Sequence, residues 1–338
     1  MPTTRSFENV FQLQDYTPEL LSIPNQWGLV NELGIFSSES VSQHSVTVEA
    51  RTGTLGIVGD RVRGERNNVS KDDLRTLYSY AIPHFPLDDA ITPQDLQGKR
   101  AYGSPDMAET EAAVMARKLE RIRKSHAATL EAARCYALTN GAIYAPNATV
   151  SGNYYTDFGI TRKEIDFVLG TAGTEIVEKI EEGIAHIQDN ILTGEVVNEM
   201  VAICSPTFFA KLIKHAKVVN AYTYYASTQE PLRKRLGTGL HRRFEHGGIT
   251  FIEYRGSYNS SALIPSGDAY LIPRGAGDTF VSYFSPANKM SHVNTLGEEA
   301  YAFTYRDPRD EGVIIQTESN QIHLLRRPNA VVRLYSSN

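Results

Sequence analysis

Apolar positions between residues 104 and 141 recur every three or four residues, which is the spacing of one face of an α-helix. The stripe consists of Met115, Leu119, Ile122, His126, Leu130, Ala133 and Ala137. Ser104 and Pro105 suit the start of a helix, and Asn140-Gly141 suits its end. The pattern predicts a single helix over 105–140, roughly 50 Å long at about 1.5 Å per residue, with one face buried.

Two different patterns precede this helix. Residues 1–43 carry scattered apolar side chains between prolines and glycines, which predicts an extended arm that must lie on the body or on a neighbour. From residue 44 the alternation has period two and then becomes polar, which predicts a projecting hairpin followed by a strand over 74–82. Residues 83–103 are rich in proline and predict an ordered connection into the long helix.

The second half of the chain predicts a small mixed domain followed by closing strands. A strand should lead into a helix over 174–190, and a buried strand over 197–204 should lead into a helix over 207–215 capped by Ser205-Pro206. Two further strands are predicted over 248–254 and 269–272. The last predicted strands, which should close one sheet, are 301–305, 312–318 and 331–335.

Composition places the chain among ordinary globular proteins. Its 338 residues are 41% hydrophobic and 22% charged, enough for a sizeable core and two lobes. The net charge of −5 and the pI near 6.0 argue against a dedicated nucleic-acid-binding protein. Cys135 and Cys204 have neither metal-site nor disulfide spacing, which fits a reducing compartment. The chain has no hydrophobic signal segment and no run of eighteen apolar residues, so neither secretion nor membrane insertion is expected.

Basic residues form two dense clusters. The first lies on the predicted outer face of the long helix and comprises Arg117, Lys118, Arg121, Arg123 and Lys124. The second follows the mixed domain's first helices and comprises Arg233, Lys234, Arg235, Arg242 and Arg243. Each cluster is either a solvated surface with acidic partners such as Glu111 and Glu120, or a contact with a neighbouring subunit or a polyanion.

Catalytic motifs are missing from the sequence. His241, Glu245 and His246 match neither the H-E-x-x-H zinc motif nor its inverse. The glycine-containing turn at 170–174 lacks the lysine of a phosphate loop, and no G-x-S-x-G motif occurs. Cys204 reads as a buried residue at a strand end. The sequence therefore predicts a structural protein without a catalytic, cofactor or metal site.

Three short motifs in fixed order carry a family resemblance. They are IPHFPLDDAITPQDLQGKR before the long helix, IDFVLG after it, and RPNAVVRL near the end. Together with the arm, the hairpin and the long helix, they closely resemble the major capsid proteins of tailed phages. The resemblance is to the lambda-type branch, the phage major capsid protein E family, of the Hong Kong 97-type fold, and it covers nearly the whole chain.

This resemblance implies an α+β fold with four parts. They would be an N-terminal arm over 1–43, an extended hairpin over 44–76, a peripheral domain over 77–190 and 291–338 that contains the long spine helix, and an axial domain over 191–290. The arm and hairpin would lie over neighbouring subunits, and the axial domains would meet at the five-fold and six-fold positions of a shell.

The implied function is self-assembly into the icosahedral shell that encloses a tailed phage's double-stranded DNA. The implied partners are other copies in pentamers and hexamers, a separate scaffolding protein, a portal protein, a decoration or cement protein, and packaged DNA through non-specific contacts. Assembly would take place in the host cytoplasm, with no role for a membrane. Two alternatives remain at this point: an encapsulin-like compartment shell with the same fold, and a mixed α/β enzyme.

Overall fold

The computed structural model describes residues 28–52, 74–99, 110–191, 197–225, 241–258, 260–307 and 311–338. Helices alternate irregularly with strands, as expected for an α+β chain. The helices are α1 Leu29–Leu33, α2 Pro93–Leu96, the spine helix α3 Glu111–Asn140, α4 Tyr154–Asp157, α5 Ile176–Asn190, α6 Pro206–Lys214 and α7 Ala216–Tyr225, with 3₁₀ turns at Met290–His292 and Pro328–Ala330.

The strands fall into two large sheets and two small pairs. In chain order they are β1 Ser37–Ser40, β2 Ser45–Thr52, β3 Leu74–Ala81, β4 His84–Ile91, β5 Glu164–Asp166, β6 Glu199–Cys204, β7 Arg243–His246, β8 Ile249–Glu253, β9 Ser257–Tyr258, β10 Ser261–Ala262, β11 Asp268–Arg274, β12 Phe280–Phe284, β13 Tyr301–Arg306, β14 Val313–Leu325 and β15 Val332–Tyr335.

The spine helix is shorter than predicted at its start and ends where predicted. Thr110 has an extended backbone, and its side-chain oxygen accepts a hydrogen bond from the N–H of Ala113 at 3.3 Å. The predicted start at 105 is therefore wrong, because Thr110 is the N-cap and the helix begins at Glu111. Gly141, with φ of 62°, terminates the helix through its N–H bond to the Ala137 carbonyl at 2.8 Å, as predicted.

Burial along the spine helix changes over its length. The first two thirds bury one face, which includes Ile122 and His126, as the periodic stripe predicts. From residue 131 to residue 139 every side chain except that of Tyr136 is buried, including Glu131 and Arg134. The expectation of a single buried face is wrong for this last third. The arm base, which we define as residues 28–36, and both large sheets enclose it.

A five-stranded sheet lies along the spine helix. β14 is its central strand, and it pairs with β4, β12 and β13, while β1 adds to β12 in parallel. β14 runs to Leu325, well beyond the predicted end at 318. β4 and α2 lie inside the stretch that the sequence predicts as a mere connection. Proline masks the strand in the sequence, but Pro86 is tolerated in β4, which pairs with β14 alone among the described strands.

A six-stranded mixed sheet has the order β5-β15-β11-β6-β8-β7. Both of its faces are covered, since Val201 and Ile203 enter the core around the spine while Ala202 and Cys204 enter a second core against α5 and α6. β15 belongs to this sheet and not to that of β13 and β14. The prediction that the three C-terminal strands close one sheet is therefore wrong. The predicted helices over 174–190 and 207–215 are confirmed as α5 and α6.

The predicted hairpin is confirmed at its base. β2 and β3 pair in antiparallel register from Ser45 opposite Ala81 to Thr52 opposite Leu74. The strand predicted over 74–82 is therefore the returning arm of the hairpin. The predicted tip at 61–73 lies outside the described residues.

Candidate functional site

The basic cluster on the spine helix is divided by the structure. Arg117, Arg121 and Arg123 are exposed. At 100° per residue, Arg117, Arg121 and Lys124 lie within about 60° of one another around the helix. The Lys124 ammonium lies 2.7 Å from the Glu120 carboxylate one turn earlier. This solvent-facing group is a partly neutralised basic surface.

Lys118 does not belong to that surface. Its side chain turns toward the five-stranded sheet, where its ammonium donates to the Ala90 carbonyl at 2.7 Å and lies 3.0 Å from the Asp89 carboxylate. It also lies 3.5 Å from Asp95 in α2. The expectation that Lys118 shares the exposed face is wrong, because its acidic partners are provided by the stretch that precedes the helix. Lys118 instead joins the start of the spine to β4 and α2.

The second basic cluster lies only partly within the described residues. Arg233, Lys234 and Arg235 fall outside them. Arg242 forms an ion pair with the buried Glu253, which Arg255 also contacts at 2.8 Å. That pairing raises the pKa of Arg242 and offsets the cost of burying the carboxylate. Arg243 lies 3.8 Å from Glu32 at the arm base.

A buried carboxylate on the spine helix holds the base of the N-terminal arm. The oxygens of Glu131, which is fully buried, accept hydrogen bonds from the backbone N–H groups of Val30 at 2.8 Å and Asn31 at 3.0 Å. These groups open α1, whose N-cap, Gly28, has no side chain to accept them. The hydroxyl of Tyr254 donates to the same carboxylate at 2.8 Å. Glu131 thereby joins the arm base, the spine and the six-stranded sheet.

Arg134, one turn further along, extends this cluster, which we call the arm clasp. Its guanidinium donates to the Asn31 side chain at 2.7 Å and to the Ser282 hydroxyl at 3.2 Å. It also lies over the Phe36 ring, 5.7 Å from the centroid. Burial raises the pKa of Glu131 and lowers that of Arg134, while the two charges oppose these shifts. The clasp is costly to bury, so each hydrogen bond in it is needed.

The arm base is part of the protein's own core. Leu29, Val30, Leu33, Ile35 and Phe36 are all buried. β1 follows and pairs with β12 through four residues. Of the predicted arm, the part that lies outside the described residues is 1–27.

The hairpin base presents two chemically different faces. Val46, Val48, Tyr78 and Tyr80 pack against the core around the spine, and the Tyr80 hydroxyl donates to Asp157 at 2.9 Å. The opposite face carries Leu77, which is 69% exposed. The root of the hairpin is thus fixed to the body.

His323 sits buried beside the clasp. Its Nδ1 lies 2.8 Å from the Ser282 hydroxyl, and burial together with the charge of Arg134 lowers its pKa well below 6.5. The buried His126, whose Nε2 lies 2.9 Å from the Thr317 hydroxyl, also has a lowered pKa because of burial. Both rings stay neutral in the folded chain under conditions that protonate them in the unfolded chain.

We therefore expect the free energy of unfolding to fall as the pH drops below about 6.5. Only the unfolded chain takes up these protons there, and each fully buried histidine adds a slope of up to ~1.4 kcal/mol per pH unit. The free energy of unfolding can be measured with urea at several pH values between 7.5 and 5. It should fall less steeply with decreasing pH for His323→Gln than for the unmodified chain. His44→Gln is the control, since that residue is exposed. An unchanged slope in His323→Gln would contradict the assignment.

Other residues singled out by the sequence show no catalytic geometry. Cys204 is buried, which raises its pKa well above the ordinary value and makes its thiol unreactive. In the turn at 170–174, the N–H of Gly170 donates to the Asn338 side chain at 2.9 Å, and that of Thr174 donates to the Thr171 carbonyl at 3.1 Å. Among the residues described, no three His, Cys, Asp or Glu side chains are grouped as metal ligands.

One open groove of about 330 Å³ lies between α5 and β6. The described residues that line it are mainly apolar, and the one carboxylate among them, Glu199, accepts hydrogen bonds from Thr250 at 2.7 Å and Arg274 at 3.3 Å. These lining residues do not include the convergent titratable groups of an enzyme site. No helix within the described ranges is long and apolar enough to cross a membrane.

The fold matches solved phage capsids along nearly its whole length. The capsid of cyanophage P-SCSP1u aligns with a TM-score of 0.56 at 13% identity, covering 97% of this chain and 93% of that one. The mature capsid of bacteriophage PhiM1 gives the same TM-score at 16% identity, covering 93% and 88%. The spine helix, the hairpin and the two large sheets thus form the Hong Kong 97-type fold.

Sequence comparison identifies the family. The model of the family described as phage major capsid protein E matches residues 13–336. The major capsid protein of Pseudomonas phage KPP10 is 46% identical, and that of Salmonella phage Felix O1 is 29% identical, each over 97% of both chains. This chain belongs to the phage major capsid protein E family, a family of structural shell proteins. Membership of this family does not favour the alternative that the chain forms an encapsulin-like compartment shell.

Proposed function

We propose that this chain assembles with copies of itself into the pentamers and hexamers of an icosahedral shell around the double-stranded DNA of a tailed phage. The observation that carries the proposal is the 46% identity with a phage major capsid protein across 97% of both chains. Similarity at that level over the full length fits conservation of the subunit's part in its assembly, beyond conservation of the fold.

The arm and the hairpin are the parts that reach neighbouring copies. Each is attached at its root by buried contacts, the arm through Glu131 and the hairpin through Tyr80. Residues 1–27 are rich in large apolar side chains, including Phe7, Phe11 and Trp27. A segment of that composition gains stability by lying on another surface, and its fixed root sets the direction in which it leaves the body.

The two large sheets correspond to the two domains of the subunit. The six-stranded sheet, which holds most of 191–290, is the axial part, and copies of it meet at the five-fold and six-fold positions. It also recruits β5, α5 and β15, which the boundaries 77–190 and 291–338 assign to the peripheral domain. The peripheral part is therefore the spine helix with the five-stranded sheet.

Other partners follow from this assembly. A separately encoded scaffolding protein guides closure, a portal protein occupies one vertex, and a decoration or cement protein binds the outer surface. Assembly takes place in the host cytoplasm, and the product is the virion capsid.

The proposal is tested by electron microscopy of the purified full-length chain, with and without its scaffolding protein. Closed particles of uniform diameter are expected, and they should contain DNA when isolated from infected cells. Soluble monomers under every condition would refute the shell function. Closed particles filled with an enzyme cargo in place of DNA would favour the compartment alternative.

The basic surface of the spine helix is proposed to face packaged DNA. The Arg121→Glu, Lys124→Glu double variant should assemble normally and retain less DNA, because Arg121 is exposed and the Lys124 ammonium pairs with Glu120 on the solvent side of the helix. The contacts are to phosphates, so the loss should shrink as salt rises. Lys217→Glu is the matched control, since Lys217 is an exposed lysine paired with Glu175 at 2.5 Å.

Each result of this experiment is decisive for the surface. Lost assembly in the double variant would show that the face is an interface between subunits. Normal particles with unchanged DNA retention would leave it as a solvated surface. The second cluster, of which Arg242 and Arg243 are described, is the alternative DNA contact, although Glu253 already neutralises Arg242.

A further inference from the structure

The loop from residue 285 to residue 300, between β12 and β13, exposes three large apolar side chains within seven residues. Met290 is 91% exposed, Val293 is 60% exposed and Leu296 is 67% exposed. Met290 and Val293 are three residues apart across a 3₁₀ turn, the spacing at which side chains lie on the same side. This group, which we call the apolar tip, has no role in the core.

Buried polar side chains of β14 fix both ends of this loop. The Glu318 carboxylate accepts a hydrogen bond from the N–H of Asn288 at 2.8 Å, and the Asn320 side chain donates to the Pro286 carbonyl at 2.9 Å. At the other end, the Ser319 hydroxyl donates to the Glu299 carbonyl at 2.7 Å. Glu318, Ser319 and Asn320 are at most 7% exposed, so these bonds are shielded from water.

Aromatic packing and tight turns stiffen the loop itself. The His292 ring packs edge-on against Tyr301 at 5.2 Å and Phe303 at 5.3 Å between centroids. Asn294 adopts φ of 62°, a conformation that asparagine tolerates better than most residues. The Tyr301 hydroxyl accepts a hydrogen bond from the N–H of Glu298 at 2.8 Å. The tip is thus presented by an ordered loop.

Gly297 fastens the loop to the strand that precedes it. A Cβ at this position would lie 2.1 Å from the Phe284 carbonyl oxygen, so only glycine permits the close approach of the two backbones. The N–H of Gly297 donates to the Val41 carbonyl at 3.1 Å, next to β1. The loop is therefore anchored to the arm side of the five-stranded sheet as well as to β14.

The size of the apolar tip decides what kind of contact it makes. Three side chains present on the order of a few hundred Å² of apolar surface, whereas a standard stable interface buries roughly 800 Å² on each partner. The tip alone cannot hold a dimer together in solution. A weak contact of this size can still stabilise a closed shell, because every subunit of the shell repeats it together with other contacts. The exposed polar residues Ser291, Asn294, Thr295 and Glu298 alternate with it along the loop.

We infer that the apolar tip is a docking surface for a second copy of this chain in the assembled shell. The inference rests on the proposed shell function and assigns one inter-subunit contact of that shell to Met290, Val293 and Leu296. The preformed loop supplies the contact with little loss of conformational freedom on assembly. The contact is weak in free subunits and forms only as the shell closes.

Photocrosslinking identifies the molecule that covers the apolar tip. Cys135 and Cys204 are at most 1% exposed, so a Val293→Cys variant offers an accessible thiol for a benzophenone maleimide. Unassembled subunits labelled at this thiol, then assembled with the scaffolding protein and irradiated as closed particles, should yield an adduct of twice the 37.5 kDa chain mass. An adduct with a scaffolding or decoration protein, or no adduct in closed particles, would overturn the inference.

A second variant measures the need for the contact. The double variant Val293→Ser, Leu296→Ser should keep the melting temperature of the unassembled chain. It should lower the yield of closed particles by about tenfold, because a small loss of contact free energy is repeated at each subunit. Val177→Ser with Val219→Ser is the matched control, because Val177 is 43% exposed and Val219 39% exposed elsewhere on the fold. An undiminished particle yield would overturn the inference. If the unmodified chain itself forms no particles, the shell function fails instead.

Discussion

Replacing Glu131 by leucine is expected to lower the free energy of unfolding by ~3–5 kcal/mol, the range for removing one partner of a buried charged network. The substitution leaves the N–H groups of Val30 and Asn31 and the hydroxyl of Tyr254 without their acceptor. It also removes one of the two negative charges, those of Glu299 and Glu131, that favour the ionised form of the buried Arg134. Urea unfolding followed by circular dichroism at pH 7.5 measures the change.

Two further variants separate the clasp from a general effect of charge removal. Glu120→Leu removes an exposed carboxylate of the same helix and should change stability little, because the pair that Glu120 forms with Lys124 lies at the surface. Glu131→Gln keeps the shape and one acceptor oxygen, so its loss should be intermediate. A Glu131→Leu chain as stable as the unmodified protein would show that the clasp does not hold the arm base.

Deleting residues 1–27 is expected to leave a folded chain that no longer forms shells. The deleted stretch precedes α1, so the arm clasp and the buried residues from Leu29 to Phe36 remain in place. Its apolar side chains would no longer be available to neighbouring copies. Particle yield and the melting temperature should therefore respond differently, with the first lost and the second preserved.

The longer deletion of residues 1–43 is the informative comparison. It removes Leu29, Val30 and Phe36 from the core and β1 from its sheet. It also removes the two backbone N–H groups that donate to the Glu131 carboxylate. That chain should fail to fold. The sequence, in contrast, predicts all of 1–43 to be an arm that can be removed from a folded body. Normal shells from the 1–27 deletion would contradict the role of the arm, and a stable fold from the 1–43 deletion would contradict the role of its base.

Local signals made most elements predictable from sequence. The Asn140-Gly141 end of the spine helix is encoded by a residue that readily adopts positive φ, and the structure has it there. The start was misplaced because Ser104-Pro105 and Thr110 are both suitable caps, and the sequence does not say which one is used. The strand β4 was missed because prolines are strong negative signals that an edge position overrides.

Long-range contacts were beyond the reach of pattern analysis. Glu131 looks like any helical glutamate, and its backbone partners lie about a hundred residues earlier in the chain. The end of β14 was predicted too early because Glu318 to Gln321 are polar, although all four are buried. Only the assembled fold shows that these polar side chains face inward.

The hairpin and the last strands were predicted only in part. Period-two alternation predicted a hairpin from residue 44, but it placed the strand over 74–82 after the hairpin, whereas β3 is the hairpin's second strand. Neither strand propensity nor the family resemblance separated β15 from β13 and β14, which lie in a different sheet.

A reconstruction of the assembled particle by cryo-electron microscopy tests the account most directly. We expect closed icosahedral shells in which residues 1–27 lie across a neighbouring copy, the six-stranded sheets surround the five-fold and six-fold positions, and Val293 contacts another subunit. Particles in which residues 1–27 fold back onto their own subunit, or a chain that never closes into shells with its scaffolding protein present, would contradict it.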